Sequence, residues 1–224
     1  MTPFSFPVGR AASHSINMFD SIPSVTRTLL IVNIAVFAIQ VFGGDARLVA
    51  LFALWPVSVL GNVEIGGGTF WPWQILTYSV LHGSPLHLFL NMFALHMFGP
   101  QLEPVFGSRR FLVLYFVSVT VAGATQLAWA AAVGAEPYPT IGASGGVFGL
   151  LFAYAMYFPK RMIVLIFPPI PMPAWLFVTL YAVLELYHGV SATDAGVAHF
   201  AHLGGMLGAY LVIRRWHGGD SSEG

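Results

Sequence analysis

Long apolar runs alternate along this chain with short segments that carry nearly all of its charge. A helix needs about 20 consecutive apolar residues to cross a bilayer, so the runs themselves predict the elements. Six are predicted, over Val25–Phe42, Ile75–Phe98, Phe111–Val133, Ile141–Phe158, Ala174–Tyr187 and Val197–Ile213. The fifth is short because FPPIPMPAW, Phe167 to Trp175, is dense in proline, which breaks helices and removes backbone donors. That stretch reads as a loop. The expected fold class is an all-α membrane protein, a bundle of six transmembrane helices.

Composition excludes a soluble domain. Only 8% of the residues are charged, against 57% hydrophobic and 15% aromatic, too few charges to solvate a globular surface. The nine Lys and Arg residues give the orientation, because short cytoplasmic loops carry an excess of them. With the N-terminus inside, Arg10, Arg27, Arg109, Arg110, Lys160, Arg161, Arg214 and Arg215 fall on the cytoplasmic side, and only Arg47 falls outside. The organisation read from this is a cytoplasmic N-terminal segment 1–24, a membrane core 25–216 and a cytoplasmic tail 217–224. The first 24 residues lack a basic segment leading into a short apolar core, so the first span is expected to act as an uncleaved anchor.

The external segment between the first two spans, roughly 43–73, carries Trp55, Trp71 and Trp73, which suits an element lying in the membrane interface. Gly66 to Gly68 read as a flexible loop and not as a phosphate cradle, since no strand and helix pattern surrounds them. The absence of Cys removes disulfides, thiol catalysis and cysteine metal sites.

Polar side chains inside the spans carry the chemistry, because each is costly in lipid and points to a cavity or bundle interior. The second span holds His82, His87, Asn91 and His96, the fourth holds Ser144 near its external end, and the sixth holds His199 and His202. His87 and Asn91 are four apart and share a helix face, whereas His82 is placed further round the same helix. The pairs Gly142 and Gly146, Gly145 and Gly149, Ala201 and Gly205, and Gly204 and Gly208 have the small-residue spacing that lets membrane helices approach closely. They suggest that the fourth and sixth helices pack together and bring Ser144 near His202. A serine needs a base to accept its proton, and acyl transfer needs donors for the oxyanion. His87, Asn91 and the backbone N–H of Ser144 are candidates for the second role. No carboxylate offers itself as a third member, Glu185 being on the fifth helix, so a dyad is expected. Phe148, one turn below Ser144, is placed to hold the imidazole by packing. His96 and His199 read as structural.

These residues resemble the rhomboid family of intramembrane serine proteases over roughly 73–209. The family's GxSG is similar to Gly142–Gly145, its HxxxN to His87–Asn91, its AHxxG to Ala201–Gly205, and its ExxxG to Glu103–Gly107. The resemblance implies a rhomboid-like six-helix bundle, a catalytic dyad of Ser144 and His202, and an oxyanion site helped by His87 and Asn91. Gly142, Gly145, Phe148 and Gly205 support it. It also implies hydrolysis of single-span membrane proteins in or beside their spans, within the lipid bilayer and without metal, cofactor or nucleic acid. Departures are Gln74 after Trp73, where the family often has Arg, Phe148 where many relatives have Tyr, and Ala209 with Gly208 where Gly is usual at the later position.

Competing readings are a noncatalytic rhomboid-like protein that binds membrane clients, a polytopic transporter, and a metal site built from His82, His87, His96, His199 and His202. The first would lack the serine or the histidine, the second predicts two related halves, and the third lacks an HExxH pattern.

Overall fold

The computed structural model describes residues 21–57, 69–133, 138–165, 168–191 and 198–220. Gly66 to Gly68 lie outside them. In chain order the helices are α1 (Ser24–Gly43), α2 (Asp45–Phe52), α3 (Gln74–Thr77), α4 (Pro85–Phe106), α5 (Ser108–Val133), α6 (Ser144–Tyr157), α7 (Ala174–Ser191) and α8 (His199–Asp220), with a 3-10 turn at Tyr78–Val80. Among the described residues α1, α5 and α7 are long and apolar enough to cross a membrane. The surface is that of a protein in lipid: Phe42, Leu86, Tyr187 and Val190 are exposed, while Thr26, Asn33, Gln40, Ser118 and Gln126 are buried. A soluble fold would reverse that arrangement. The chain folds as a helical membrane bundle.

Small residues set the centre of the bundle, where α5, α6 and α8 meet. A Cβ on Gly205 of α8 would overlap the Gly145 carbonyl oxygen of α6. Gly145 in turn meets the Ala122 methyl of α5. Gly204 and Gly208 face α5 instead, against Thr125 and the Ser118 backbone. Neighbouring positions on a helix point about 100° apart, so one glycine-rich turn serves two partners. The expected pairing of the fourth and sixth helices is thus one side of a three-helix junction.

Two further expectations are corrected. The second predicted span is broken: α3 and the 3-10 turn end at Val80, and α4 begins only at Pro85. Ser84 caps α4, its hydroxyl accepting from the His87 N–H at 3.1 Å, and Pro85 occupies the first turn, where it has no donor to lose. His82 therefore lies before the helix, its backbone held by the Gln40 side-chain amide at 2.9 and 3.2 Å. The all-α expectation also gives way locally, since Met162–Val164 (β1) pairs antiparallel with Pro171–Pro173 (β2) ahead of α7. Met172 is the only residue of β2 with an amide to donate, which keeps this ladder short.

Two side chains tie the periphery down. Glu103, near the end of α4, accepts from the N–H groups of Val25 and Thr26 at 3.0 and 2.8 Å, the Thr26 hydroxyl at 2.8 Å and the Ser108 hydroxyl at 2.7 Å. It caps the otherwise unsatisfied first turn of α1 and completes the turn into α5. Gln74 is fully buried. Its Nε2 donates to the carbonyls of Thr69 and Leu51 at 2.9 and 3.3 Å, and its Oε1 accepts from the amides of Trp71 and Trp55 at 3.2 and 3.3 Å. A neutral amide thus clamps the external segment without a full charge. Trp71 and Trp73 stack on each other and remain half-exposed, whereas Trp55 is buried.

Candidate active site

Ser144 is the first residue of α6. The chain leading to it is fixed at two points. Thr140 pairs with Leu54 through both backbone bonds, at 2.9 and 3.0 Å, and the Gly142 N–H donates to the Tyr78 carbonyl at 3.0 Å. Gly142 has φ +128°, a conformation that side chains rarely adopt, and a Cβ there would lie 2.8 Å from His87 Nε2. Its role is to let the chain turn beside His87 into α6, not to pair with Gly146 across a helix seam. The amides that open α6 have no intrahelical acceptors and point towards the start of the helix, where the serine stands.

His202 lies in the first turn of α8, with its Nε2 2.9 Å from Ser144 Oγ. Phe148 stacks on the imidazole at 4.2 Å and 6° between ring planes, and Tyr181 of α7 stacks on the far face of Phe148 at 5.2 Å. Two aromatic rings therefore fix the plane of the histidine. Gly145 and Gly205, at the contact of α6 with α8, permit the approach that brings serine and histidine within hydrogen-bond reach.

His87 and Asn91 occupy the first two turns of α4 and line, with Ser144, Phe148 and His202, one cavity of about 1010 Å³. His87 Nδ1 accepts from the Gly83 N–H at 3.4 Å, which leaves Nε2 as the protonated nitrogen, on the side of Gly142. The Asn91 amide donates one of its two hydrogens to the His87 carbonyl at 3.0 Å. The structure thus brings Ser144, His202, His87 and Asn91 together. His96 is exposed on α4, away from them.

The expectation that no carboxylate reaches the histidine is corrected. Glu185 of α7 places Oε2 2.9 Å from His202 Nδ1 and 2.7 Å from His199 Nδ1. The one signal in the sequence is the expense of a carboxylate in an apolar helix. The five-histidine metal reading is not assembled, since His82 and His87 meet edge to face at 5.1 Å while His199 and His202 gather around Glu185. Among the described residues, Glu185, His199 and His202 do place three potential ligand atoms within 4.8 Å of one another. Their separations are those of hydrogen bonds.

A family model described as "Rhomboid domain" matches residues 70–217. "Rhomboid protease GluP" of Bacillus subtilis is 25% identical over 178 residues, which are 79% of this chain and 31% of that protein. "Rhomboid protein 1, mitochondrial" of Saccharomyces cerevisiae is 32% identical over 197 residues, 84% of this chain and 51% of that protein. "Rhomboid protease AarA" of Providencia stuartii is 27% identical over 213 residues, 85% of this chain and 72% of that protein. The chain spans about a third of the first of these proteins and about half of the second.

Proposed function

From the premise that the chain belongs to the rhomboid family, we propose that it is an intramembrane serine endopeptidase that cleaves membrane proteins in or next to their spans. The observation that carries the reading is the 2.9 Å approach of Ser144 Oγ to His202 Nε2 on the wall of the cavity. In this reading His202 takes the hydroxyl proton as Ser144 Oγ attacks the scissile carbonyl. His87 Nε2–H, Asn91 and the Ser144 N–H receive the oxyanion. When the C–N bond breaks, His202 returns the proton to the leaving amine. Water then attacks the acyl-enzyme, giving its proton to the same nitrogen, and Ser144 leaves with it.

The three membrane-length helices, with α4, α6 and α8 packed among them, support a core of six spans within 25–216, flanked by cytoplasmic segments 1–24 and 217–224. α8 runs on to Asp220, four residues past the core limit. α6 has 14 residues and so covers about 21 Å, well short of the ~30 Å hydrocarbon layer. In this reading the shortfall lies at its external end, so that Ser144 is recessed below the outer surface. The charge asymmetry supports placing both termini in the cytoplasm, and the similarity to Bacillus subtilis and Providencia stuartii proteins supports a bacterial inner membrane as the location. Single-span proteins are the proposed substrates, and a substrate helix must unwind before its peptide bonds reach the serine.

The test is Ser144→Ala, His202→Ala and the double variant, assayed on a single-span reporter protein and with a fluorophosphonate probe. Residues that act in one step are strongly non-additive. All three variants are expected to lack cleavage, with Ser144→Ala near-native in stability and unlabelled by the probe. Cleavage by Ser144→Ala at a sizeable fraction of the parent rate overturns the reading and returns the serine to a packing role. A parent that binds the reporter without cutting it assigns the chain to client binding.

A further inference from the structure

Two imidazoles converge on one carboxylate oxygen next to the serine. Glu185 and His199 each leave 9% of the side chain exposed, and His202 leaves 13%. An ionised carboxylate only accepts, so both Nδ1 atoms, at 2.9 Å for His202 and 2.7 Å for His199, donate to Oε2. A neutral imidazole carries one N–H. His202, with its hydrogen on Nδ1, presents a bare Nε2 to the Ser144 hydroxyl 2.9 Å away, which is the form that can accept a proton. The stacking of Phe148 and Tyr181 fixes the ring plane but is indifferent to which nitrogen is protonated. Among the described residues, Glu185 alone makes that choice.

We propose that Glu185 is a positioning residue for hydrolysis, making Ser144, His202 and Glu185 one working unit in place of a two-residue dyad, with His199 holding the carboxylate from its other side. The inference rests on the protease reading above. In the acylation step the proton passes from Ser144 Oγ to His202 Nε2 as the Oγ–C bond forms. The Nδ1–H stays on the ring, and the carboxylate remains ionised and faces the new imidazolium. When the C–N bond breaks, Nε2 gives the proton to the leaving amine, so Glu185 gains and loses nothing. Replacing the carboxylate by an amide keeps the shape but allows a side-chain N–H to donate to Nδ1, which selects the opposite tautomer. In a soluble Ser-His-Asp triad that exchange lowers kcat by about 10⁴-fold. Here aromatic stacking still orients the ring, so a loss on the order of 10²-fold is expected.

The experiment compares the parent, Ser144→Ala and Glu185→Gln in proteoliposomes, measuring kcat, KM and thermal stability. It adds the fluorophosphonate labelling rate and the histidine ¹⁵N spectrum, with the His202 signals identified by subtraction of a His202→Phe spectrum. Expected for Glu185→Gln are unchanged stability and KM, a kcat and labelling rate lower by about 10²-fold, and movement of the His202 hydrogen from Nδ1 towards Nε2. A kcat within twofold of the parent with an unchanged ¹⁵N pattern overturns the proposal, as does a loss confined to stability or KM. Parent activity that a chelator abolishes and Zn²⁺ restores also overturns it, by making the three side chains a metal site. If the parent neither cleaves nor labels, the protease reading fails separately. The ¹⁵N comparison then still decides whether Glu185 sets the tautomer, and an unchanged pattern sinks that claim too.

Discussion

Gly205 of α8 lies so close to Gly145 of α6 that any side chain on it would overlap the Gly145 carbonyl oxygen. The contact lies one residue after Ser144 and three after His202, so the tightness of this seam sets the spacing of the two reacting groups. Gly205→Ala is expected to force the helices apart, at a cost of about 1–3 kcal/mol for overpacking, and to lower activity far more than stability alone explains. On the same helix a Cβ at Gly218 meets nothing within 4 Å, so Gly218→Ala is the control and should leave both unchanged. Thermal unfolding in detergent and turnover of a reporter protein check the pair.

The oxyanion donors should be separable from the fold. Asn91 and His87 line the cavity, and removing one side-chain donor in a soluble serine protease costs roughly 10²- to 10³-fold in turnover. Asn91→Ala is expected to lose somewhat less, because His87 and a backbone amide remain. Single-turnover rates with stability measured alongside test this. Full turnover by both Asn91→Ala and His87→Ala would remove the proposed site.

Glu103 should matter for stability and not for chemistry. It is buried and accepts from two amides and two hydroxyls within 3.0 Å. Glu103→Ala strands those donors and is expected to cost about 3 kcal/mol, on the scale of charged hydrogen bonds. Unfolding in mixed micelles reads that loss, while the fluorophosphonate labelling rate of the surviving folded fraction should match the parent.

Orientation is testable with single cysteines, because the chain has none of its own. Arg47 and Lys160 are both exposed. In intact cells an impermeant thiol reagent should modify Arg47→Cys and spare Lys160→Cys. The reverse pattern would put the serine on the wrong side of the membrane.

Features that depend on spacing along one helix were legible without coordinates. His87 and Asn91 face one cavity, and Phe148 reaches the ring of His202, as four-residue intervals require. Features that depend on how one helix is turned towards another were not. A lipid-facing helix is apolar on nearly all sides, so its sequence does not mark the face that meets a neighbour, and Glu185 on α7 gave no sign of pointing to α8. His82 departs from its expected place for a different reason. The apolar run hid a Ser84–Pro85 start signal that local chemistry alone could have found. The short hairpin before α7 has no separate signal in the sequence, because proline density marks only a break in helix formation.

The clamp at Gln74 has one further consequence. It holds the external segment through four contacts between 2.9 and 3.3 Å, none of which involves a full charge. A surface arginine doing the same task would interact with counter-ions and lipid phosphates, and its hold would weaken as added salt shortened the Debye length. A buried amide has no charge to screen and no proton to lose. The grip on the external segment is therefore indifferent to ionic strength and to the surface charge of the surrounding lipid.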